Sequence, residues 1–135
     1  MRKINVFFYG LFMDEDLLRS KGITSPNLLV ASVQGFQLRI GNRATLVPVA
    51  DERVFGLVAS LSHIEVERLY AEPGLQPYRP EAVLARLLTG ETLAALCFNL
   101  VEPPSVAEHN PEYAARLRTL AAHLELPPDY VSSIE

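Results

Sequence analysis

Apolar positions fall in short runs along the chain, and their spacing alternates between strand-like and helical. Residues 4–9 (INVFFY) are apolar on both faces and predict a buried strand ending at Tyr9-Gly10. Leu11 and Phe12 follow where a surface turn would favour polar residues, so their side chains are expected to turn inward. Asp14 is a helix N-cap, Glu15 and Asp16 suit the positive helix end, and Met13 with Leu18 has the spacing of a hydrophobic staple. Gly22 closes that short helix.

Residues 28–40 predict a long strand with a bulge or bend at Gly35. Residues 44–49 predict another, with Pro48 at an edge, then a turn at Asp51-Glu52-Arg53 and a third strand over 54–61. Ser62-His63-Ile64-Glu65 is a capping box, with Leu61 and Val66 as its staple. The helix it opens ends before Pro73-Gly74, which leaves Glu72 just beyond the last turn. Strands over 81–88 and 93–100 flank Gly90 as a hairpin. Asn110-Pro111 caps a helix with Tyr113, Leu117, Leu120, Ala121 and Leu124 on one stripe, Pro127-Pro128 ends it, and a last short turn holds Tyr130 and Ile134. The pattern predicts an α+β fold, one domain over 1–135, with a mixed, mainly antiparallel sheet curled toward a small barrel.

Composition narrows the function. The chain has 135 residues, 49% hydrophobic and 21% charged, enough for a real core without staples. A net charge of −4 and the lack of any Lys/Arg run argue against nucleic acid or an anionic membrane as partner. The single cysteine, Cys97, permits no intrachain disulfide. Asn5, Tyr9 and Gly10 keep the first apolar run shorter than a signal-peptide core, and no run reaches the ~20 residues of a membrane span. The expected location is the cytoplasm.

Most familiar chemistries find no foothold. His63-Ile64-Glu65 matches half of a zinc-deaminase signature, but the two-cysteine half is absent, and His63 reads as an exposed first-turn residue. His109 and His123 have no companion at metal-ligand spacing, so no metal and no cofactor is expected. Cys97 lies mid-strand and reads as core. Motifs for a nucleophilic serine, a P-loop or a dinucleotide fold are missing. Among the carboxylates, Glu72 differs. It leaves a helix end into a segment with little charge nearby except Arg79, where partial desolvation would suit general acid-base work; its alternative is a solvated loop residue.

Three segments then combine. The opening VFFYGLFM resembles the strand-loop signature of the γ-glutamylcyclotransferase-like superfamily. VFGLVASLSHIEVERLYAEPGLQPYRPEAV resembles its strand, helix, Glu-loop and Tyr-strand signature. NPEYAARLRTLAAHLELPPDYVSSI is similar to its C-terminal helix. The resemblance spans nearly the whole chain in order. It implies that fold, a general base/acid at Glu72, a substrate cradle at Tyr9, Gly10, Leu11 and Phe12, and a substrate-side Tyr at Tyr78. Leu11 stands where the family has Ser or Thr, and Pro73 separates Glu72 from its Gly.

The implied reaction is release of an amine or amino acid from a small γ-glutamyl compound, whose own α-amine attacks its γ-carbonyl to form oxoproline. That needs no protein nucleophile and no cofactor. A non-catalytic binder of small molecules on the same scaffold is the alternative, and ligand-induced thermal stabilisation without product would mark it. Self-association through the C-terminal helix, as a homodimer or a pure interaction domain, also stays open.

Overall fold

The computed structural model describes residues 2–24 and 26–135. Along them run β1 (Lys3–Phe8), a single 3-10 turn (Leu11–Met13), α1 (Glu15–Ser20), β2 (Leu29–Ile40), β3 (Ala44–Ser62), α2 (His63–Tyr70), β4 (Tyr78–Leu87), β5 (Thr92–Leu100), α3 (Pro111–His123) and α4 (Pro128–Ser133). The strands close into a barrel in the order β1-β3-β2-β4-β5. Neighbours are antiparallel, except that β1 and β5 run parallel with Val6 opposite Leu96. The α+β class and the curled, mainly antiparallel sheet expected from the sequence are therefore the observed architecture.

The parallel pair determines where a site can form. β1 and β5 bring their C-terminal ends to one end of the barrel, and antiparallel β3 and β4 bring their starts there. The core on the two faces of the sheet includes Val6, Phe7, Val33, Val54, Leu61 and Cys97, all nearly inaccessible. Each large apolar side chain so buried stabilises the fold by about 1.5–3 kcal/mol. Cys97 behaves as core: burial pushes its thiol pKa up to about 12, which keeps it protonated and unreactive at neutral pH.

One expectation fails. Asp51-Glu52-Arg53 is not a turn between two strands but part of the continuous 19-residue β3. Gln34 pairs with Arg53 and Phe36 with Pro48, so Gly35 alone faces residues 49–52. The chain takes up the excess in an irregular corner where Asp51 has φ +68. Such a bulge bends a strand without ending it, and polar residues at the corner imitate a turn in the sequence. The bulge expected at Gly35 lies at this register shift.

Helix boundaries follow the expected caps. Asp14 accepts from the Asp16 amide, and Met13 and Leu18 are both buried beside it. Ser62 and Glu65 exchange both capping-box hydrogen bonds, 3.2 Å and 2.8 Å. Asn110 caps α3 through the Tyr113 amide. The apolar stripe of α3 is spent inside the chain: Ala114, Leu117 and Ala121 are buried in the core. Tyr113, Leu120 and Leu124 on the same stripe are partly buried against it.

Candidate active site

A cavity of about 370 Å³ opens at the barrel end where β1 and β5 finish. Its lining includes Tyr9, Gly10, Leu11 and Phe12, and also Glu72 and Tyr78. The residues singled out in the sequence thus lie around one space, although Tyr9 and Glu72 are far apart in the chain. The remaining wall includes Lys21, Arg43, Tyr70, Phe98 and Tyr113, none of which the sequence reading selected.

Eight of the nineteen residues lining the cavity are aromatic. Tyr70 stacks on Phe98 at 3.8 Å between ring centroids, and Phe12 meets both Phe8 and Tyr70 edge-on. Tyr9 donates its hydroxyl to the Phe98 carbonyl at 2.7 Å, tying the end of β1 to β5. The Tyr78 hydroxyl donates to the Ala44 carbonyl, tying β4 to the start of β3 rather than reaching Glu72. Burial raises the pKa of Tyr9 well above its ordinary value and raises that of Tyr78 to about 12, where nearby Arg43 opposes the shift. These phenols therefore remain neutral near pH 7 and serve as donors and walls, not as bases.

Gly10 owes its identity to Tyr113. A Cβ there would stand 2.6 Å from the Tyr113 hydroxyl, which comes from the first turn of α3. The Leu11 backbone hydrogen-bonds that hydroxyl and partly offsets the rise that burial gives its pKa. The Met13 and Asp14 amides are used by the Gly10 and Leu11 carbonyls, both at 3.0 Å. The C-terminal helix thus buttresses the loop. Sequence pattern placed Tyr113 on the apolar stripe of α3 and could not show its hydroxyl reaching the loop.

Glu72 opens a tight turn. The Leu75 amide returns to the Glu72 carbonyl at 3.1 Å, with Pro73 and Gly74 at the two central positions and φ +90 at Gly74. Pro in the first central place and a positive-φ Gly in the second are the requirements of a type II turn. Pro73 is therefore a structural part of the loop that carries Glu72. The Gly74 carbonyl accepts from Arg43 Nε at 2.8 Å, which fixes the turn to the β2–β3 connection.

The electrostatics differ from the sequence expectation of little nearby charge. Lys21 Nζ is in contact with Glu72 Oε1, with side chains 28% and 36% exposed. Arg79, the neighbour in sequence, instead donates to the Gln76 and Tyr78 carbonyls. Glu72 is the single carboxylate among the residues lining the cavity, facing two cations, Lys21 and Arg43. Among the described residues no cluster of three or more His, Cys, Asp or Glu could hold a metal. Among them, too, no helix is long and apolar enough to cross a membrane.

Comparison with known proteins gives the fold a context. No protein-family pattern matches the chain, and no curated protein matches its sequence. Solved structures do match in shape. A γ-glutamyl cyclotransferase superposes with a TM-score of 0.81 at 19% identity, over 99% of this chain and 89% of that one. An uncharacterized protein from Homo sapiens gives 0.85 at 19% identity, over 100% and 89%. An AIG2-like protein from Mus musculus gives 0.56 at 12% identity, over 83% and 91%. The chain has the γ-glutamylcyclotransferase-like fold.

Proposed function

We propose that this protein is a γ-glutamyl cyclotransferase-type enzyme in which Glu72 is the general base and acid. The observation that carries this reading is a lone carboxylate in a cavity lined largely by aromatic and aliphatic residues and two cations, beside the loop of residues 9–12. The reaction needs one proton shuttle and a shaped space, and no protein nucleophile. The cavity is open rather than filled by Leu11 or Phe12, which leaves room for a substrate.

In this mechanism Glu72 takes a proton from the substrate's α-ammonium. The freed nitrogen attacks the γ-carbonyl carbon, closing a five-membered ring, and the carbonyl oxygen becomes an oxyanion. As the oxyanion collapses, the bond to the leaving amine breaks and Glu72 returns its proton to that nitrogen. The ring nitrogen then gives up its second proton through Glu72, and the amine departs as its ammonium. Oxoproline and the released ammonium result, and the carboxylate is restored. A single group in both roles is ordinary for general acid-base catalysis, worth about 10²–10⁴ in rate. The aromatic walls hold the glutamyl chain folded, so that nucleophile and carbonyl meet within one molecule. The Gly10 and Phe12 backbone N–H groups supply donors for the oxyanion, the Leu11 amide being engaged by Tyr113.

Arg43 suggests the leaving group. Its Nε is held by Gly74, and among the described residues it has no carboxylate partner. A guanidinium so placed at the cavity favours a leaving amine that carries its own carboxylate, an amino acid or peptide over a simple alkylamine. Incubation with matched γ-glutamyl amino acids and γ-glutamyl amines, with oxoproline measured, tests the reading. Turnover with a preference for the amino acids is expected, and no turnover across the panel would remove the enzymatic assignment.

A further inference from the structure

The contact between Lys21 and Glu72 leads beyond a proton shuttle. Lys21 follows the last residue of α1, and its backbone is fixed by hydrogen bonds around it. The Ile23 amide returns to the Leu18 carbonyl at 3.1 Å and the Gly22 amide to Arg19 at 3.0 Å. Such a paired closure locks a helix end. Only the flexible four-carbon side chain can move, and its ammonium rests on the carboxylate assigned as the base.

A γ-glutamyl substrate, on the reading above, brings an α-ammonium and an α-carboxylate attached to one carbon. The resting Lys21–Glu72 pair is the charge complement of that group: a cation for the carboxylate and an anion for the ammonium, already in contact. For proton transfer the substrate ammonium must hydrogen-bond Glu72. It then competes with Lys21 for the same oxygens. A partly buried lysine stripped of this partner would be costly. The substrate carboxylate arrives beside it and takes that partner's place.

We infer that Lys21 is a substrate-binding residue that exchanges partners, leaving Glu72 for the substrate's α-carboxylate as the α-ammonium takes its place. One ion pair at rest becomes two in the complex, with no new residue entering the cavity. The inference rests on the γ-glutamyl reading for its substrate, but its core is a site for an α-amino-acid zwitterion. Neither the 9–12 loop nor the fold comparison assigns Lys21 any role.

The test uses the whole chain as wild type, Lys21→Met and Lys21→Arg. Turnover of γ-glutamyl-alanine is measured, together with calorimetric binding of L-glutamine, which has the same α-end. In Lys21→Met, KM and the L-glutamine Kd should rise roughly tenfold or more, the loss expected for a hydrogen bond between charged groups. The kcat should fall much less, and Lys21→Arg should recover most of the binding. A lysine that serves only the fold would move none of these after matching unfolding midpoints. Tighter binding in Lys21→Met would show Lys21 to be merely an inhibitory counter-ion, and unchanged binding would show it to be a bystander; either overturns the exchange. L-Glutamine binding that depends on Lys21 without any turnover would uphold the exchange and sink the cyclisation. Neither binding nor turnover in wild type would sink both.

Discussion

At the start of α2, Glu65 closes onto Ser62, three residues away in the chain, with Lys3 of β1 a more distant neighbour at 3.7 Å. Just past the other end, Glu72 meets Lys21, which belongs to the end of α1, while its turn is held by Arg43 from the β2–β3 connection. Both are glutamates at the ends of one eight-residue helix. The first is bound chiefly by a cap that completes itself locally, and the Ser62 amide, helped by Lys3 at 3.7 Å, holds its pKa below the usual value. The second is bound by side chains that only the fold brings near. A cap that closes within one helical turn stabilises; a partner arriving from elsewhere can also leave, and that makes a carboxylate available for chemistry.

The contrast can be stressed at each end. Gly74→Ala should have the largest effect on the folded chain. No atom lies within 4 Å of the added methyl, so the cost is the φ of +90 itself, about 1–3 kcal/mol. The variant should also lower kcat/KM, because the turn aims Glu72 and anchors Arg43; unchanged activity after a normal loss of stability would detach the turn from the site. Ser62→Ala should cost about 1 kcal/mol in denaturant unfolding, the usual value of an N-cap. Its kcat/KM should match wild type, since the cap serves the fold alone. Arg43→Met removes the hydrogen bond to Gly74 and should cost up to about 1 kcal/mol in unfolding. It should reduce the preference for γ-glutamyl amino acids over matched amines by roughly 3–10-fold, the scale of a partly solvated charge-assisted hydrogen bond. A ratio that stays fixed would assign that preference elsewhere.

The same division explains what could be read from the sequence. The capping box, the Asp14 and Asn110 caps and the bulge at Gly35 are short-range devices, and each was visible as a local pattern. The alternation of apolar runs gave the strands and hence the class of fold. Reading Asp51-Glu52-Arg53 as a turn failed because a bulged corner and a hairpin turn use the same polar residues. Glu72 was conspicuous as a carboxylate at a helix exit. Lys21 was invisible because a lysine ahead of a glycine is ordinary at a helix C-terminus, and Arg43 because an arginine is ordinary in the connection Gly41-Asn42-Arg43. Tyr113 was seen only as one member of an apolar stripe. Their roles depend on barrel closure, which brings β1 beside β5 and folds α3 onto the Gly10 loop. Non-local closure leaves no mark in a short window of sequence.

The central claim is that Glu72 carries the proton in a cyclisation. The direct measurement compares oxoproline release from γ-glutamyl-alanine by wild type and Glu72→Gln, with unfolding midpoints matched. The substitution keeps the size and a hydrogen-bonding end while removing the base. Release should fall by about 10²–10⁴ in kcat while the variant remains folded. A folded Glu72→Gln that releases oxoproline at the wild-type rate would contradict the account.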